Sequence, residues 1–289
     1  MKICLRHEVK NSNVGGSAVY SLKTQYRVGF FTNLFRQKPF KETHLNHSLN
    51  HSQKYLSVRL IALVALLFAT PIQGAWAAAA PAMGAAAQFS VLGGAAVTCT
   101  GATVTGDVGV SPGSAFTNTG CAIAGATPPE TNVAAVGARS DFLSAYAMLQ
   151  LQSTSCTETL TGTLADRNLA PGVYCVTEEA KTGTLTLNGP SNGVWIILVN
   201  GALTGTNFSV VMAGGGDPCN VFWAPLTAAT LTTSALKGSI LAGDVALGSI
   251  TFTGTTLIGQ ALANIAVTMT GGSVTGSQGC HPANLLSPF

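Results

Sequence analysis

The stretch GSITFTGTTLIGQALA, residues 248–263, alternates large apolar residues with threonine: Ile250 and Phe252 alternate with Thr251, Thr253 and Thr255. Successive side chains of a β-strand point to opposite faces of the sheet. The pattern therefore predicts a short strand with a buried apolar side and an outward threonine side. The stretch contains no ionisable side chain, so it carries no group for acid–base catalysis or metal binding.

Similar short segments fill the chain from residue 89 onward, separated by Gly, Asn and Ser. They are rich in β-branched residues, which favour strands. The segments recur roughly every 20–25 residues, as the coils of a stacked solenoid do. This predicts a mostly β fold built of stacked solenoid coils, although the pattern alone leaves a β-sandwich open.

One segment interrupts the β pattern. Pro128-Pro129-Glu130 is a typical helix start, and it is followed by Ala135, Arg139, Phe142, Tyr146 and Leu149 at spacings of three and four. Such spacing places these residues on one side of a helix. We expect a single helix over residues 130–152, with Phe142 and Tyr146 packed against the β body.

The charges divide the chain into two parts. Residues 1–77 hold ten of the fourteen Lys and Arg residues, whereas residues 78–289 hold four of them against nine carboxylates. A nucleic-acid-binding protein needs a basic patch, and four scattered cations do not form one. The composition therefore argues against nucleic acid as a partner.

Residues 54–77 have the form of a secretory signal peptide. Lys54 and Arg59 precede an apolar run, and the small residues of Ala75-Trp76-Ala77 follow it as a cleavage site. The sequence thus predicts export, with cleavage near Ala77 and a secreted or cell-surface location. Residues 1–53 are polar and basic without a hydrophobic period, which predicts a disordered or wrongly annotated extension.

The remaining segments are an Ala-rich linker at 78–88, a domain at 89–280 and a tail at 281–289. Six cysteines follow the cleavage site, and an even number in an exported chain indicates disulfides. Pairing between neighbours would give Cys99–Cys121, Cys156–Cys175 and Cys219–Cys280, one of fifteen possible connectivities. No cysteine or histidine spacing indicates a metal site, and no motif indicates a cofactor.

The carboxylates do not form a convincing catalytic pair. Glycoside hydrolysis requires two positioned carboxylates, but Asp107, Asp217 and Asp244 each stand beside Gly or Pro in turn sequences, where Asp bonds to nearby backbone. His281 is the single histidine after the cleavage site, and no G-x-S-x-G motif is present. We therefore expect no enzymatic activity and no small-molecule substrate.

Five ordered segments resemble one known family. They are FSVLGGAAVTCTGATVTGDVGVSPGSAFT (89–117), LAPGVYCV (169–176), GTLTLNGPSNGVWIILV (183–199), PCNVFWAP (218–225) and LKGSILAGDVAL with GTTLIGQALA (236–247 and 254–263). The chain resembles the microbial ice-binding protein family, also called DUF3494 or type 1, from about Phe89 to Cys280. The resemblance implies a mostly β fold, an irregular right-handed parallel β-helix with three faces and one long α-helix packed alongside. It also implies secretion and binding to ice.

The resemblance also implies a site, because active members carry a T-A/G-x-T/N pattern on one face. The pattern occurs here at residues 100–103, 204–207, 227–230 and 253–256. Together with their threonine neighbours, the candidate ice-contacting residues are Thr204, Thr206, Asn207, Thr227, Thr230, Thr232, Thr251, Thr253, Thr255 and Thr256.

The sequence therefore predicts a secreted, monomeric, non-catalytic protein that adsorbs to ice crystals and limits their growth or recrystallisation. The alternative is an extracellular adhesin or carbohydrate-binding module on the same fold. Aromatic residues exposed on the flat face would favour the alternative, since Trp195 or Trp223 could stack on sugars, whereas a threonine face without aromatics would favour ice.

Overall fold

The computed structural model describes residues 78–276 with the exception of Glu179. The expected signal peptide, the extension before it and the tail at 281–289 lie outside these residues. Among the residues described, no helix combines the length and apolarity needed to cross a membrane.

Six short strands precede the helix and fifteen follow it. The first six are β1 (Phe89–Gly93), β2 (Ala96–Thr100), β3 (Thr103–Thr105), β4 (Asp107–Val110), β5 (Ala115–Thr119) and β6 (Ala122–Ala124). The helix α1 spans Asn132–Leu151. The next eight strands are β7 (Glu158–Leu160), β8 (Asn168–Leu169), β9 (Gly172–Thr177), β10 (Lys181–Asn188), β11 (Trp195–Asn200), β12 (Leu203–Ala213), β13 (Val221–Pro225) and β14 (Ala229–Thr232). The last seven are β15 (Ala235–Lys237), β16 (Ser239–Ala242), β17 (Ile250–Thr253), β18 (Thr256–Ile258), β19 (Ala261–Ala263), β20 (Ala266–Thr270) and β21 (Ser273–Thr275). Three short 3₁₀ helices cover Gly84–Gln88, Gln152–Ser155 and Pro218–Asn220.

The strands wind into stacked coils, and all described strand pairs are parallel. One sheet has the order β4-β1-β19-β16-β13-β11-β9-β7. The other sheet forms two faces that meet at a corner: β5-β2-β20-β17-β14 continues through β12 into β15-β18-β21-β3-β6. The expected three-faced parallel solenoid is therefore confirmed.

The coils do not follow the order of the chain. The first two coils, β1–β3 and β4–β6, lie at one end of the stack, and α1 then carries the chain back to the other end. From there the coils proceed from β7 until β19–β21 pairs with β1–β3. The last coil of the sequence is thus an interior coil of the structure.

A continuous apolar core fills the solenoid. Its largest side chains include Trp195, Trp223, Phe208 and Phe252, each at most 1% exposed. The rings of Phe208 and Trp223 meet edge to face, with centroids 6.0 Å apart. The indole N–H groups of Trp195 and Trp223 donate to the carbonyls of Leu169 and Lys237 at 3.0 and 2.9 Å. Both indoles are therefore structural, because buried Trp N–H groups need such acceptors.

Helix α1 covers the sheet that contains β1 and β4, and we call this side the helix-covered face. The helix buries Ala135, Ala138, Phe142, Ala145 and Leu149, close to the expected stripe. These residues pack against Leu92, Ile196, Phe222, Leu241 and Leu262 on the sheet. Because alternate residues of β11 point into the solenoid and towards the helix, both sides of that strand are apolar.

The two ends of the stack differ. At the β7 end, Leu160, Leu164 and Leu169 are buried, and the fully buried Lys181 donates through Nζ to the carbonyls of Gly162 and Thr177 at 2.9 Å each. At the β4–β6 end, the core residues Phe116 and Ile123 are only half-buried.

Two of the expected disulfides are confirmed. Cys99 bonds to Cys121, and Cys156 bonds to Cys175, with sequence separations of 22 and 19 residues. Cys280 lies outside the described residues, so its pairing with Cys219 stays a prediction.

Candidate functional site

Two parallel ladders of threonine run along one side of the solenoid. This side is formed by β5, β2, β20, β17, β14 and the first part of β12, and we call it the threonine face. The strand registers align Thr117, Thr98, Thr268, Thr251, Thr230 and Thr204 in the first ladder. They align Thr119, Thr100, Thr270, Thr253, Thr232 and Thr206 in the second ladder.

The ladders arise because every one of these strands carries a T-x-T sequence. In four of the six strands the residue between the two threonines is a core side chain, and Cys99, Met269, Phe252 and Leu231 are each at most 1% exposed. The exceptions are Gly205 in β12 and Asn118, which is exposed in β5 at the end of the stack. The threonines on either side are half-buried or exposed. The apolar and polar positions of each coil are therefore set by the alternation predicted at residues 250–253.

Sheet geometry gives the array its spacing. Neighbouring strands lie about 4.7–4.9 Å apart, and outward residues two positions apart lie about 6.5 Å apart along a strand. Six strands thus extend the ladders over roughly 24 Å. Threonine has few χ1 rotamers, so the hydroxyl and methyl groups form a repetitive and comparatively rigid surface.

The face ends at a corner that every coil turns in the same way. The residues that follow the second ladder are Gly120, Gly101, Gly271, Gly254, Thr233 and Asn207. All six have positive φ values, between 45° and 73°. Glycine and asparagine adopt this left-handed conformation readily, whereas a β-branched residue such as Thr233 does so at a cost. The shared turn keeps the face edges aligned from coil to coil.

The structure distributes nine of the ten predicted residues over four kinds of position. Thr204, Thr206, Thr230, Thr232, Thr251 and Thr253 belong to the ladders. Asn207 is exposed at the corner, and Thr227 is half-buried in the connection before β14. Thr256 is exposed at the start of β18, on the third face, which is formed by β15, β18, β21, β3 and β6.

The expectation that Thr255 points outward is wrong. Thr255 is 1% exposed, and its hydroxyl donates to the carbonyls of Leu231 and Thr253 at 3.0 and 3.4 Å. The left-handed turn at Gly254 interrupts the alternation, so Thr255 falls on the inner side of the corner. Its hydroxyl satisfies backbone acceptors and is not available at the surface.

Six ladder residues are absent from the sequence-based set: Thr98, Thr100, Thr117, Thr119, Thr268 and Thr270. A signal for them exists, because TCT at 98–100, TNT at 117–119 and TMT at 268–270 repeat the T-x-T sequence. The four-residue pattern used for the search spans the corner, so it selected some residues that lie beyond the face.

The threonine face is electrically neutral. Its strands contain no Asp, Glu, Lys, Arg or His. Two carboxylates elsewhere serve the backbone: Asp107 Oδ1 accepts from Ala126 N at 2.8 Å, and Asp244 Oδ1 accepts from Ala246 N and Leu247 N at 2.9 and 2.6 Å. These contacts agree with turn-forming roles for both residues. In the described part of the chain, no three His, Cys, Asp or Glu side chains come together as metal ligands.

Two tyrosines with raised pKa values, Tyr146 and Tyr174, both lie outside the threonine face. Burial raises the pKa of Tyr146 above its usual value of 10.0, and the nearby charge of Asp244 raises it further. Tyr146 belongs to α1, and its hydroxyl donates to the carbonyl of Pro225 at 3.2 Å. Burial and the charge of Glu158 raise the pKa of Tyr174. Neither group borders the ladders, so the face has no titratable chemistry of its own.

Comparison with known proteins identifies relatives of this chain. An ice-binding protein from Nostoc sp. (strain HG1) is 37% identical over 175 residues, which are 59% of this chain and 64% of the relative. The chain thus matches slightly less than two thirds of that protein's length.

Solved structures give the same result. The crystal structure of an ice-binding protein from an Antarctic biological consortium is 31% identical, with a TM-score of 0.62, covering 69% of this chain and 92% of that one. The crystal structure of an ice-binding protein from an Antarctic bacterium of the Flavobacteriaceae is 32% identical, with a TM-score of 0.60, covering 73% of this chain and 49% of that one. The sequence profile of the family described as Ice-binding-like matches residues 91–275. With that match extending over most of the chain, and with a threonine-faced solenoid beneath it, this protein belongs to the ice-binding-like family.

Proposed function

We propose that this protein is exported and adsorbs to ice through the threonine face, which limits the growth or recrystallisation of extracellular ice. The observation that carries the proposal is the pair of six-residue threonine ladders in register over six strands. The similarity to proteins described as ice-binding supports it. Export rests on the signal-peptide pattern at residues 54–77.

In this mechanism, the regularly spaced hydroxyl and methyl groups of the threonines order water at the protein surface. Each threonine presents a hydroxyl, which donates and accepts hydrogen bonds, beside a methyl group that excludes water. Repetition over the ladders holds water molecules at regular positions, so that the hydrated face can merge with an ice lattice. A charged side chain would orient water around itself instead, and the neutral composition of the face avoids this.

No cofactor, nucleic acid, small-molecule substrate or catalytic step enters this mechanism. A monomer suffices for it, because one chain supplies the complete array. Binding through the sum of many small contacts predicts that a single Thr→Ala substitution has little effect, while disruption of the flat surface has a large one.

The threonine face favours ice over carbohydrate. Sugar-binding faces use exposed aromatic rings for stacking, but the outward positions of the ladders are all threonine, and Phe252 points into the core. Trp195 and Trp223, the aromatic residues that could have stacked on sugars, are fully buried.

The test is ice recrystallisation inhibition by the purified, disulfide-bonded protein, together with adsorption of a fluorescently labelled sample to a single ice crystal. We expect both activities from folded protein and neither from protein that has been reduced and heat-denatured. A folded, monodisperse sample that fails both assays would overturn the proposal. Binding to insoluble polysaccharides in a parallel sedimentation assay would then favour the adhesin alternative.

A further inference from the structure

A groove runs along one side of α1, between the helix and the turn that follows β4. Its volume is about 490 Å³, which is within the usual range for small-molecule sites. The residues that line it include Ser111 and Pro112 of the turn and Val136, Arg139, Leu143 and Ser144 of the helix. We call this feature the Arg139 groove. None of these residues belongs to a strand of the threonine face, so the ice-binding proposal does not account for the groove.

The solenoid holds the side chain of Arg139 in place. Its Nη2 donates to Asn264 Oδ1 at 2.5 Å. Asn264 is 7% exposed, and its Nδ2 donates to the carbonyls of Gly243 and Asp244, both at 3.2 Å. The buried amide thus fixes the guanidinium beside the helix, and a group that is already fixed loses less entropy when it binds a ligand.

The charge of Arg139 is not balanced by a neighbouring carboxylate. In the described part of the chain, no carboxylate forms an ion pair with it, whereas Arg167 pairs with Glu158 at 3.9 Å. The carboxylate of Asp141 accepts from a backbone N–H of the segment before β1 at 2.7 Å. The carboxylate of Asp244 accepts from two N–H groups of its own loop. Both carboxylates therefore serve the backbone and leave the guanidinium uncompensated.

The groove also has unused hydrogen-bond donors. Nη1 of Arg139 has no acceptor among the described residues and is open to solvent, while Nε is buried and equally without an acceptor. Ser111 is 5% exposed, and its hydroxyl makes no hydrogen bond within the described residues. Buried polar groups are usually paired. An anion in the groove would supply acceptors and neutralise the guanidinium.

The other groups in the groove select the kind of anion. A single cation suits a single negative charge, and the planar guanidinium matches the two oxygens of a carboxylate. Val136 and Leu143 add apolar surface. The hydroxyl of Ser144 donates to the carbonyl of Ser140 at 2.9 Å and keeps its oxygen as an acceptor. A carboxylate on a ring with apolar C–H faces and hydroxyl edges, as in a sugar acid, fits this combination.

We propose that the Arg139 groove binds the carboxylate of a sugar acid, with Arg139 as the group that recognises the charge. The same carboxylate occurs in free sugar acids and in the uronic acid units of acidic polysaccharides. A ligand in this groove leaves the threonine ladders uncovered, so the binding chemistry is independent of ice adsorption.

Isothermal titration calorimetry at low ionic strength tests the proposal on the purified, disulfide-bonded protein. We expect saturable binding of galacturonate or glucuronate and none of galactose, which carries a neutral CH₂OH group in place of the carboxylate. Equal binding of galactose, or no binding of either acid, would overturn the proposal. Tighter binding of polygalacturonate than of galacturonate, per carboxylate, would identify a polysaccharide as the source, and equal affinity would identify the free acid.

Arg139→Gln tests the recognising group. It should weaken the binding of the acid by about 10- to 100-fold, because a hydrogen bond to a charged partner is lost. The matched control is Arg167→Gln, which removes the same charge from an exposed position outside the groove. Its affinity should stay within about twofold of the unmodified protein. An equal loss in both variants, or full binding by Arg139→Gln, would overturn the assignment.

A second pair of variants keeps Arg139 and tests access to it. Val136 is 63% exposed and lies one helical turn before Arg139, so Val136→Glu places a carboxylate beside the guanidinium. This internal anion should compete with the ligand and weaken binding by about threefold or more, while Val136→Gln, of the same size and neutral, should not. Both variants should keep the Tm of the unmodified protein. Equal affinities of these two variants would contradict the site.

Discussion

Two glutamates placed on the threonine face should abolish most of the ice activity, and two placed on the third face should not. Thr230 and Thr253 are exposed on adjacent strands of the ladders, at diagonal positions about 8 Å apart. Glutamate extends about 2.5 Å further than threonine, or roughly two bond lengths. The Thr230→Glu/Thr253→Glu variant therefore holds the central ladder strands away from a flat ice surface and places two negative charges at the contact.

The expected magnitude follows from dehydration of those charges. Removing a carboxylate from water costs several kcal/mol even after the surroundings relax. Each 1.4 kcal/mol corresponds to a factor of ten in binding. A loss of about 3–4 kcal/mol thus raises the concentration needed for half-maximal recrystallisation inhibition by roughly 100- to 1000-fold.

The matched control is Thr103→Glu/Thr256→Glu. Both residues are exposed on the third face and are separated by one intervening strand, β21, so the charge change is the same. We expect inhibition within about threefold of the unmodified protein, and circular dichroism should show the same Tm for both double variants. Equal loss in the two variants, or full activity of Thr230→Glu/Thr253→Glu, would refute the assignment of the face.

Three further outcomes are expected. Thr233 has φ +45° at a corner where the other coils place Gly or Asn, so Thr233→Asn should stabilise the protein by about 1 kcal/mol, seen as a Tm increase of about 2–4 °C, and a lower Tm would contradict the strain. Lys181→Met removes the ammonium that donates to two part-buried carbonyls at the β7 end, so urea unfolding should show a loss of about 1–3 kcal/mol in the free energy of unfolding. Hydrogen exchange should accelerate at the same end, and unchanged values would show that these bonds do not stabilise it. The raised pKa of Tyr146 means that the folded state retains this proton longer than the unfolded state, so stability should hold up to about pH 10 and fall above it, and Tyr146→Phe should reduce that slope in thermal melts between pH 9 and 11.

Local alternation was enough to predict much of the site. The sequence ITFT at 250–253 correctly placed Phe252 in the core and Thr251 and Thr253 outside, because a strand alternates strictly between its two sides. The helix at 132–151 was predictable for a similar reason, since its apolar residues recur at helical spacing. Both predictions depend only on residues within a single strand or helix.

The errors arose where the chain changes direction. Gly254 takes a left-handed conformation, which shifts the phase of alternation and turns Thr255 inward. A pattern of four residues cannot register that shift, so Thr256 was assigned to the same face although it begins a strand on the next one. Corner geometry depends on backbone dihedrals that glycine permits but does not enforce.

The missing half of the ladders had a different cause. Thr98 and Thr268 are neighbours across β2 and β20, although about 170 residues separate them in the sequence. Their proximity follows from the route of α1, which returns the chain to the far end of the stack. The sequence does not reveal which distant strands pair. Without that pairing, TCT at 98–100 and TMT at 268–270 are only two occurrences of a common strand sequence.

The same route has a consequence for the order in which the protein matures. Coils β1–β6 contribute two strands of the threonine face, and coils after α1 contribute the other four. The two parts join at a single seam between β2 and β20, which is the most non-local pairing in the face and therefore among the slowest to form. While the chain is still folding, it presents two short sets of threonine ladders. The complete six-strand ladders exist only after β2 has paired with β20. Recrystallisation inhibition during refolding should consequently appear with a lag behind the recovery of β-structure.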